Sequence, residues 1–239
     1  MWRCRWLLSV LAVTSTAAAD PPAPPGLVAL PVPGFGAAVV VEAAPRATPR
    51  PVLIAAHGNF DHPEWQCRVW ARVVAGRAFV LCPRGIPRRD APRFTYGNSV
   101  ALTREIEAGL RALDARYAGR VTTSPVIYAG FSLGAILGVD YLRRGRPVSV
   151  AVLLEDSVDR WTPSLSRTFV ARGGRGVLFG CGTPGCVRVA RAVTARLRAA
   201  GIAAGIADGR PAGHTYWGPM LPALRGAFAR LADADPRLR

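Results

Sequence analysis

Val126-Ile127-Tyr128-Ala129-Gly130-Phe131-Ser132-Leu133-Gly134-Ala135 carries the deciding pattern of this chain: an apolar run, a serine with a glycine two residues to either side, then helix-forming residues as far as Arg144. The spacing predicts a strand, a sharp turn and a helix. A serine hydroxyl is a weak nucleophile unless it is held clear of the backbone beside a base, and a strand-to-helix turn holds it there. The turn crowds its neighbours, so Gly130 and Gly134 stand where a Cβ has no room. The helix aims its first N–H groups back at the serine, which makes the Leu133 N–H one donor for a developing oxyanion. A G-x-S-x-G pattern alone is only moderately specific. Its place between a strand end and a helix start is what marks Ser132 as a candidate nucleophile.

Outward from this turn, strands and helices alternate. Short apolar runs predict strands at 37–41, 52–56, 78–81, 126–129, 148–154, 177–179 and 202–207. Helical patterns fall at 63–75, 99–117, 133–144, 163–172, 186–200 and 219–232. Continuous apolar strands belong to sheets buried on both faces. The expectation is therefore an α/β fold, a three-layer sandwich with a mostly parallel central sheet and right-handed crossovers. In such sheets sites gather at the carboxyl ends of strands, where Ser132 lies.

Two further motifs meet that condition. His57-Gly58-Asn59-Phe60 directly follows the strand at 52–56, where a glycine lets the backbone bend toward the serine. The Asn59 N–H is expected to complete the oxyanion hole, with Phe60 as the alternative donor. His214, within Gly213-His214-Thr215-Tyr216, follows the last strand and is placed to take the proton from Ser132. Of the three histidines, His57 reads as loop-shaping and His62 as a surface or helix-start residue, which leaves His214 as the base.

Gly130-Phe131-Ser132-Leu133-Gly134, the upstream His57-Gly58 and the downstream Gly213-His214, in that order and on those elements, resemble the α/β-hydrolase superfamily over nearly all of the chain, from about Val39 to Leu231. The resemblance implies hydrolysis of an ester, thioester or amide through an acyl-serine intermediate, on a small-molecule or peptide substrate, with no metal and no organic cofactor. The stretch between Leu154 and Val177 is too short for a large cap domain, so the chain looks closest to compact esterases and peptidase-like hydrolases with little or no cap. The other reading is a non-catalytic protein of the same fold that binds through its basic surface.

The superfamily's acid usually follows the strand at 177–179. Here that loop, Gly180-Cys181-Gly182-Thr183-Pro184-Gly185-Cys186, holds no carboxylate. Some members carry the acid one strand earlier, where Glu155-Asp156 follow the strand at 148–154. Glu155 is the first candidate and Asp156 the second, with Asp159 and Asp208 behind them.

At the N-terminus, Arg3 and Arg5 precede an apolar run from Trp6 to Val13, and Ala17-Ala18-Ala19 offers a small-residue cleavage pattern. Residues 1–19 read as a secretory signal peptide, 20–36 as a Pro-rich lead-in and 37–239 as the hydrolase domain. The run falls well short of the roughly 18 residues a membrane span needs. A periplasmic or secreted protein is the expectation. Loss of Cys4 would leave Cys67, Cys82, Cys181 and Cys186, an even number in an oxidising compartment. The sequence-local pairing is Cys67 with Cys82 and Cys181 with Cys186. No paired histidine or second cysteine pair at ligand spacing accompanies them, which argues against a metal site.

All 31 basic residues are arginine, and the net charge of +16 falls to +14 without Arg3 and Arg5. The arginines are spread over all the expected helices. No basic stripe with stacking aromatics accompanies them, so no specific nucleic-acid partner is expected. One local cluster, Arg84, Arg88, Arg89 and Arg93, follows the strand at 78–82. It is either a solvated loop or an attractor for an anionic substrate or the negatively charged cell envelope.

Overall fold

The computed structural model describes residues 26–45, 47–232 and 236–238; the stretch read as a signal peptide lies outside them. In chain order the main elements are β1 (Val28–Leu30), β2 (Ala38–Val41), β3 (Arg50–Ala56), α1 (Pro63–Val74), β4 (Phe79–Cys82), β5 (Ile86–Pro87), β6 (Phe94–Thr95) and α2 (Ser99–Arg116). There follow β7 (Val121–Phe131), α3 (Leu133–Arg144), β8 (Val148–Leu154), α4 (Pro163–Ala171), β9 (Gly176–Cys181), α5 (Pro184–Ala199), β10 (Ala203–Asp208) and α6 (Met220–Ala232).

Eight strands form one sheet in the order β1-β2-β4-β3-β7-β8-β9-β10. It runs parallel from β4 to β10, and the β1–β2 and β2–β4 pairs are antiparallel. Side chains alternate across it as a period of two requires. Val52, Ile54 and Ala56 of β3 join the core beneath α2, α3, α4 and α5, whereas Leu53 and Ala55 face the core beneath α1 and α6. Every residue of β8, Val-Ser-Val-Ala-Val-Leu-Leu, is buried, which is why its sequence shows no polar alternation. Helix starts are set by side chains: Asn98 accepts from the Ala101 N–H, Thr162 from Leu165 and Thr183 from Cys186. Each such cap contributes about 1 kcal/mol.

The two antiparallel pairings put β1 and β2 at one end of the sheet. β1 lies inside the stretch read as a lead-in, so among the described residues the sheet already includes Val28–Leu30. β7 extends to eleven residues because Val121 and Thr122 already pair with Arg50 and Pro51 of β3, before a register shift that leads to the apolar run at 126–131. The loop that carries the arginine cluster is a small hairpin, β5 with β6. Both expected disulfides are formed. Cys67–Cys82 ties α1 to β4, and Cys181–Cys186 joins the end of β9 to the first turn of α5. β8 leads to α4 through a short connection, with no cap domain among the described residues. Among them, too, no helix is long and apolar enough to cross a membrane.

Candidate active site

Ser132 stands between β7 and α3, near the middle of the sheet, at φ 50° and ψ −113°. L-residues rarely adopt this conformation, and the surrounding contacts hold it. A Cβ on Gly130 would lie 2.6 Å from the Gly134 carbonyl, and one on Gly134 would fall on the Ala56 and His57 carbonyls. The Tyr128 hydroxyl donates to the Gly134 carbonyl at 2.6 Å and so braces the first turn of α3 from below. The Ser132 N–H itself is spent on the Leu154 carbonyl of β8, at 3.0 Å. The Leu133 N–H, at the first helical position, has no intrahelical acceptor and remains free for a ligand.

The ring of Phe131 gathers the other two motifs around this serine. A Cβ on Gly58 would lie 2.9 Å from that ring and 3.5 Å from Ser132 Cβ, so the loop after β3 passes directly beside Ser132. The His214 ring lies 5.0 Å from the Phe131 ring, centroid to centroid, and Tyr216 meets it edge-on at 4.8 Å. Ser132, the His57-Gly58-Asn59 loop and the His214 loop thus converge, as the order of the motifs implies. His214 is exposed, and among the described residues its ring makes no hydrogen bond, neither to Ser132 nor to a carboxylate. Catalytic hydrogen bonds are often long or unformed without substrate and tighten in the complex.

The loop after β3 is locked by its neighbours. His57 is buried, with Nδ1 2.7 Å from the Gly58 carbonyl and Nε2 2.9 Å from the Arg84 carbonyl, the loop-shaping role expected of it. Burial pushes its pKa below the ordinary histidine value, against the pull of those two carbonyls. His62 is the N-cap residue of α1, as expected of a helix-start residue. The Gly58 N–H donates to Asp61 Oδ2 at 3.2 Å, so it is not available to a ligand. The Asn59 N–H makes no hydrogen bond among the described residues, so the next donor along the loop is available. Phe60 sits at φ 56° with its ring exposed.

Asp61 is a residue that the sequence alone did not single out. It is buried, and its oxygens accept from Gly58 N–H, His62 N–H (2.8 Å), Gln66 Nε2 (3.3 Å) and the Tyr216 hydroxyl (2.7 Å). The one hint in the sequence is an acidic residue three positions after Gly58 and just before a proline-started helix. Burial, then the Asp61 charge, raises the Tyr216 phenol above its usual range, so it stays a donor.

Glu155 follows β8 at φ 59°, and its Oε1 accepts from the Gly182 N–H. Gly182 in turn accepts from the Gly213 N–H at 3.1 Å, and a Cβ on Gly182 would fall on the Gly213 carbonyl and 2.9 Å from Glu155 Oε1. The carboxylate therefore stands one backbone away from the residue that precedes His214. Half-burial, with the adjacent Asp156 charge, raises its pKa to about 7 despite the Gly182 N–H. The other acids are placed differently. Asp156 Oδ1 accepts from its neighbour Ser157 at 2.7 Å, Asp159 is exposed, and Asp208 is held bidentate by Arg210. Among the described residues no His, Cys, Asp and Glu group is arranged to hold a metal ion.

No family model matches the chain, and no curated protein matches it in sequence. Solved structures do match in fold. The protein TT1662 of Thermus thermophilus is similar with a TM-score of 0.59 and 17% identity, over 90% of this chain and 98% of that one. A dienelactone hydrolase-like promiscuous phosphotriesterase, P91 from metagenomic libraries, is similar with a TM-score of 0.54 and 17% identity, over 86% and 97%. The acylaminoacyl peptidase of Pyrococcus horikoshii is similar at 0.53 and 11%, over 87% of this chain and 40% of that one. Strand order, the turn at Ser132 and these likenesses together give the conclusion: the chain has the α/β-hydrolase fold.

Proposed function

We propose that the protein is a serine hydrolase that cleaves an ester, thioester or amide through an acyl-Ser132 intermediate. The observation that carries this reading is Ser132 itself, held at φ 50° where the loop after β3 and the His214 loop meet on Phe131. In the first step the Ser132 hydroxyl adds to the substrate carbonyl while His214 takes its proton. The negative oxygen that forms accepts from the Asn59 and Leu133 N–H groups. Collapse expels the leaving group with the proton from His214, and water repeats the cycle on the acyl-serine. Glu155 is the proposed acid that orients His214 and stabilises its imidazolium, supported by its reach to Gly182 beside Gly213.

Export is part of the proposal. It is supported by two disulfides and by the leader-like composition of residues 1–19. Contact with an anionic cell envelope through the arginine-rich surface belongs to it as well.

One observation favours a second reading, a non-catalytic binding protein: the His214 ring rests on Phe131 without a hydrogen bond to Ser132. A fluorophosphonate probe separates the two. The hydrolase reading expects stoichiometric labelling of Ser132, together with turnover in a screen of p-nitrophenyl acyl esters and aminoacyl anilides. No labelling and no turnover would leave the binding protein.

A further inference from the structure

The β5–β6 hairpin is fastened to the proposed oxyanion loop. Asp61 and Phe94 exchange both backbone hydrogen bonds, at 2.9 and 3.3 Å, so a single antiparallel bridge ties the loop to β6. Arg93 Nη1 donates to the Phe60 carbonyl at 2.9 Å. The Arg88 guanidinium lies 3.6 Å over the exposed Phe60 ring, and Arg93 lies 5.3 Å over Trp65. Phe60 is the residue next to Asn59, so this wall of arginine and aromatic rings begins about one residue length, about 3.8 Å, from the proposed oxyanion donor.

Counting partners shows which charges are free. Arg84 pairs with Glu64 at 2.9 Å and lies over Phe94 at 5.1 Å, a structural role. Arg88 is neutralised by Asp90, also at the hairpin. Asp61 is buried with its acceptor sites filled, and Glu105 is buried and accepts from the Gly85 N–H at 2.9 Å. His62 stands 3.9 Å from Glu64. Arg89 and Arg93 remain exposed with no carboxylate partner among the described residues. Guanidinium groups match a carboxylate in a two-pronged geometry, and the Phe60 and Trp65 rings under Arg88 and Arg93 give the hairpin apolar surface beside its charges.

We propose that this hairpin selects substrates whose chain ends in a carboxylate: the chain passes beside the Arg88-covered Phe60 ring while the carboxylate meets the exposed arginines of the hairpin, Arg89 and Arg93. The proposal rests on the hydrolase reading for turnover, but the anion site has its own test.

The first arm compares p-nitrophenyl butyrate with the mono-p-nitrophenyl esters of succinate, glutarate and adipate, corrected for spontaneous hydrolysis. At low salt, at least one carboxylate-bearing ester is expected to exceed the neutral one about tenfold in kcat/KM. The preference should shrink in 0.5 M NaCl, where exposed charges are screened within a few Å. Arg89→Glu should lower the ratio about tenfold, mainly through KM, and the neutral ester reports in the same variant whether the site is still formed. The second arm measures binding of the same monoesters to Ser132→Ala by titration calorimetry. Turnover of the neutral ester with no carboxylate preference, and a ratio unmoved by Arg89→Glu, overturns the anion site and leaves the hydrolase reading intact. Absence of turnover with salt-sensitive, Arg89-dependent binding does the reverse. Absence of both turnover and binding overturns both.

Discussion

The Tyr216 hydroxyl donates to Asp61 Oδ1 at 2.7 Å across 155 residues of chain, joining the loop of the proposed oxyanion donor to the loop of the proposed base. His214 stands between two anchors: Gly213, bonded to Gly182 of the disulfide loop, and Tyr216, bonded to Asp61. The Asp61 carboxylate also takes up the Gly58 N–H and so leaves Asn59 as the free donor. Asp61 and Tyr216 thus tie together the two loops on which the proposed chemistry depends.

Tyr216→Phe keeps the ring against Phe131 and removes only the hydroxyl. A hydrogen bond to a charged group contributes about 1.5–3 kcal/mol, so a lower Tm is expected. A positioning role predicts in addition a roughly tenfold lower kcat at nearly constant KM, with fluorophosphonate labelling slowed in parallel. Asp61→Asn in the Tyr216→Phe background should cost less than it does alone, since the two act through one bond. An unchanged kcat in the folded variant reduces the pair to a structural contact.

Ser132→Ala is expected to abolish turnover while the fold is kept, because its Cβ stays in place and only the hydroxyl is lost. Loss of the nucleophile of a serine triad costs about 10⁶ in kcat in a well-studied protease. Circular dichroism checks the fold and the ester assay checks the rate; undiminished hydrolysis removes Ser132 from the mechanism.

Glu155 is expected to make both stability and activity depend on pH. Its carboxyl titrates at about 7 in the fold against 4.5 ordinarily, so its stabilising contribution is present below 4.5 and is lost as pH rises through about 7. Glu155→Gln keeps an oxygen for the Gly182 N–H and cannot ionise. It should match the parent in stability at pH 4.5 and exceed it above pH 7 by about 1–2 kcal/mol, the exposed half of the group being screened by water. Activity should move the other way. Only the ionised carboxylate stabilises the His214 imidazolium, so kcat/KM should rise through pH 7, and Glu155→Gln should lose that limb and at least about a hundredfold in rate at pH 8. Full activity in this variant, with loss in Asp156→Asn or Asp208→Asn, moves the acid to that residue; full activity in all three leaves a dyad.

Protein recovered from the exported fraction should begin near Asp20 and contain no free thiol. Intact mass before and after alkylation tests both points. In the chain-entropy view, reduction of Cys67–Cys82, with a separation of 15 residues, costs about 3 kcal/mol, and that of Cys181–Cys186, with a separation of 5, about 2 kcal/mol. Four alkylatable cysteines in the unreduced, denatured protein would overturn the disulfide reading.

Some of this protein is written locally in the chain and some is not. The apolar run 148–154 and the helix 133–144 match β8 and α3 residue for residue, because strand burial and helix start signals act over a few neighbours. The turn at Ser132 and both disulfide pairs were legible for the same reason: glycine spacing and short cysteine separations are local constraints. Edges were harder. β1 is apolar but only three residues long, the hairpin strands have two residues each, and the start of β7 is polar; such short or polar segments are strands only through their pairing partners. Glu155 was legible as a candidate from its place after the strand at 148–154, but its environment, and everything about Asp61, depended on the tertiary structure. A carboxylate's surroundings are set by which donors reach it, and here Tyr216 for Asp61 and Gly182 for Glu155 lie 155 and 27 residues away and meet them only when the sheet brings the strand ends together.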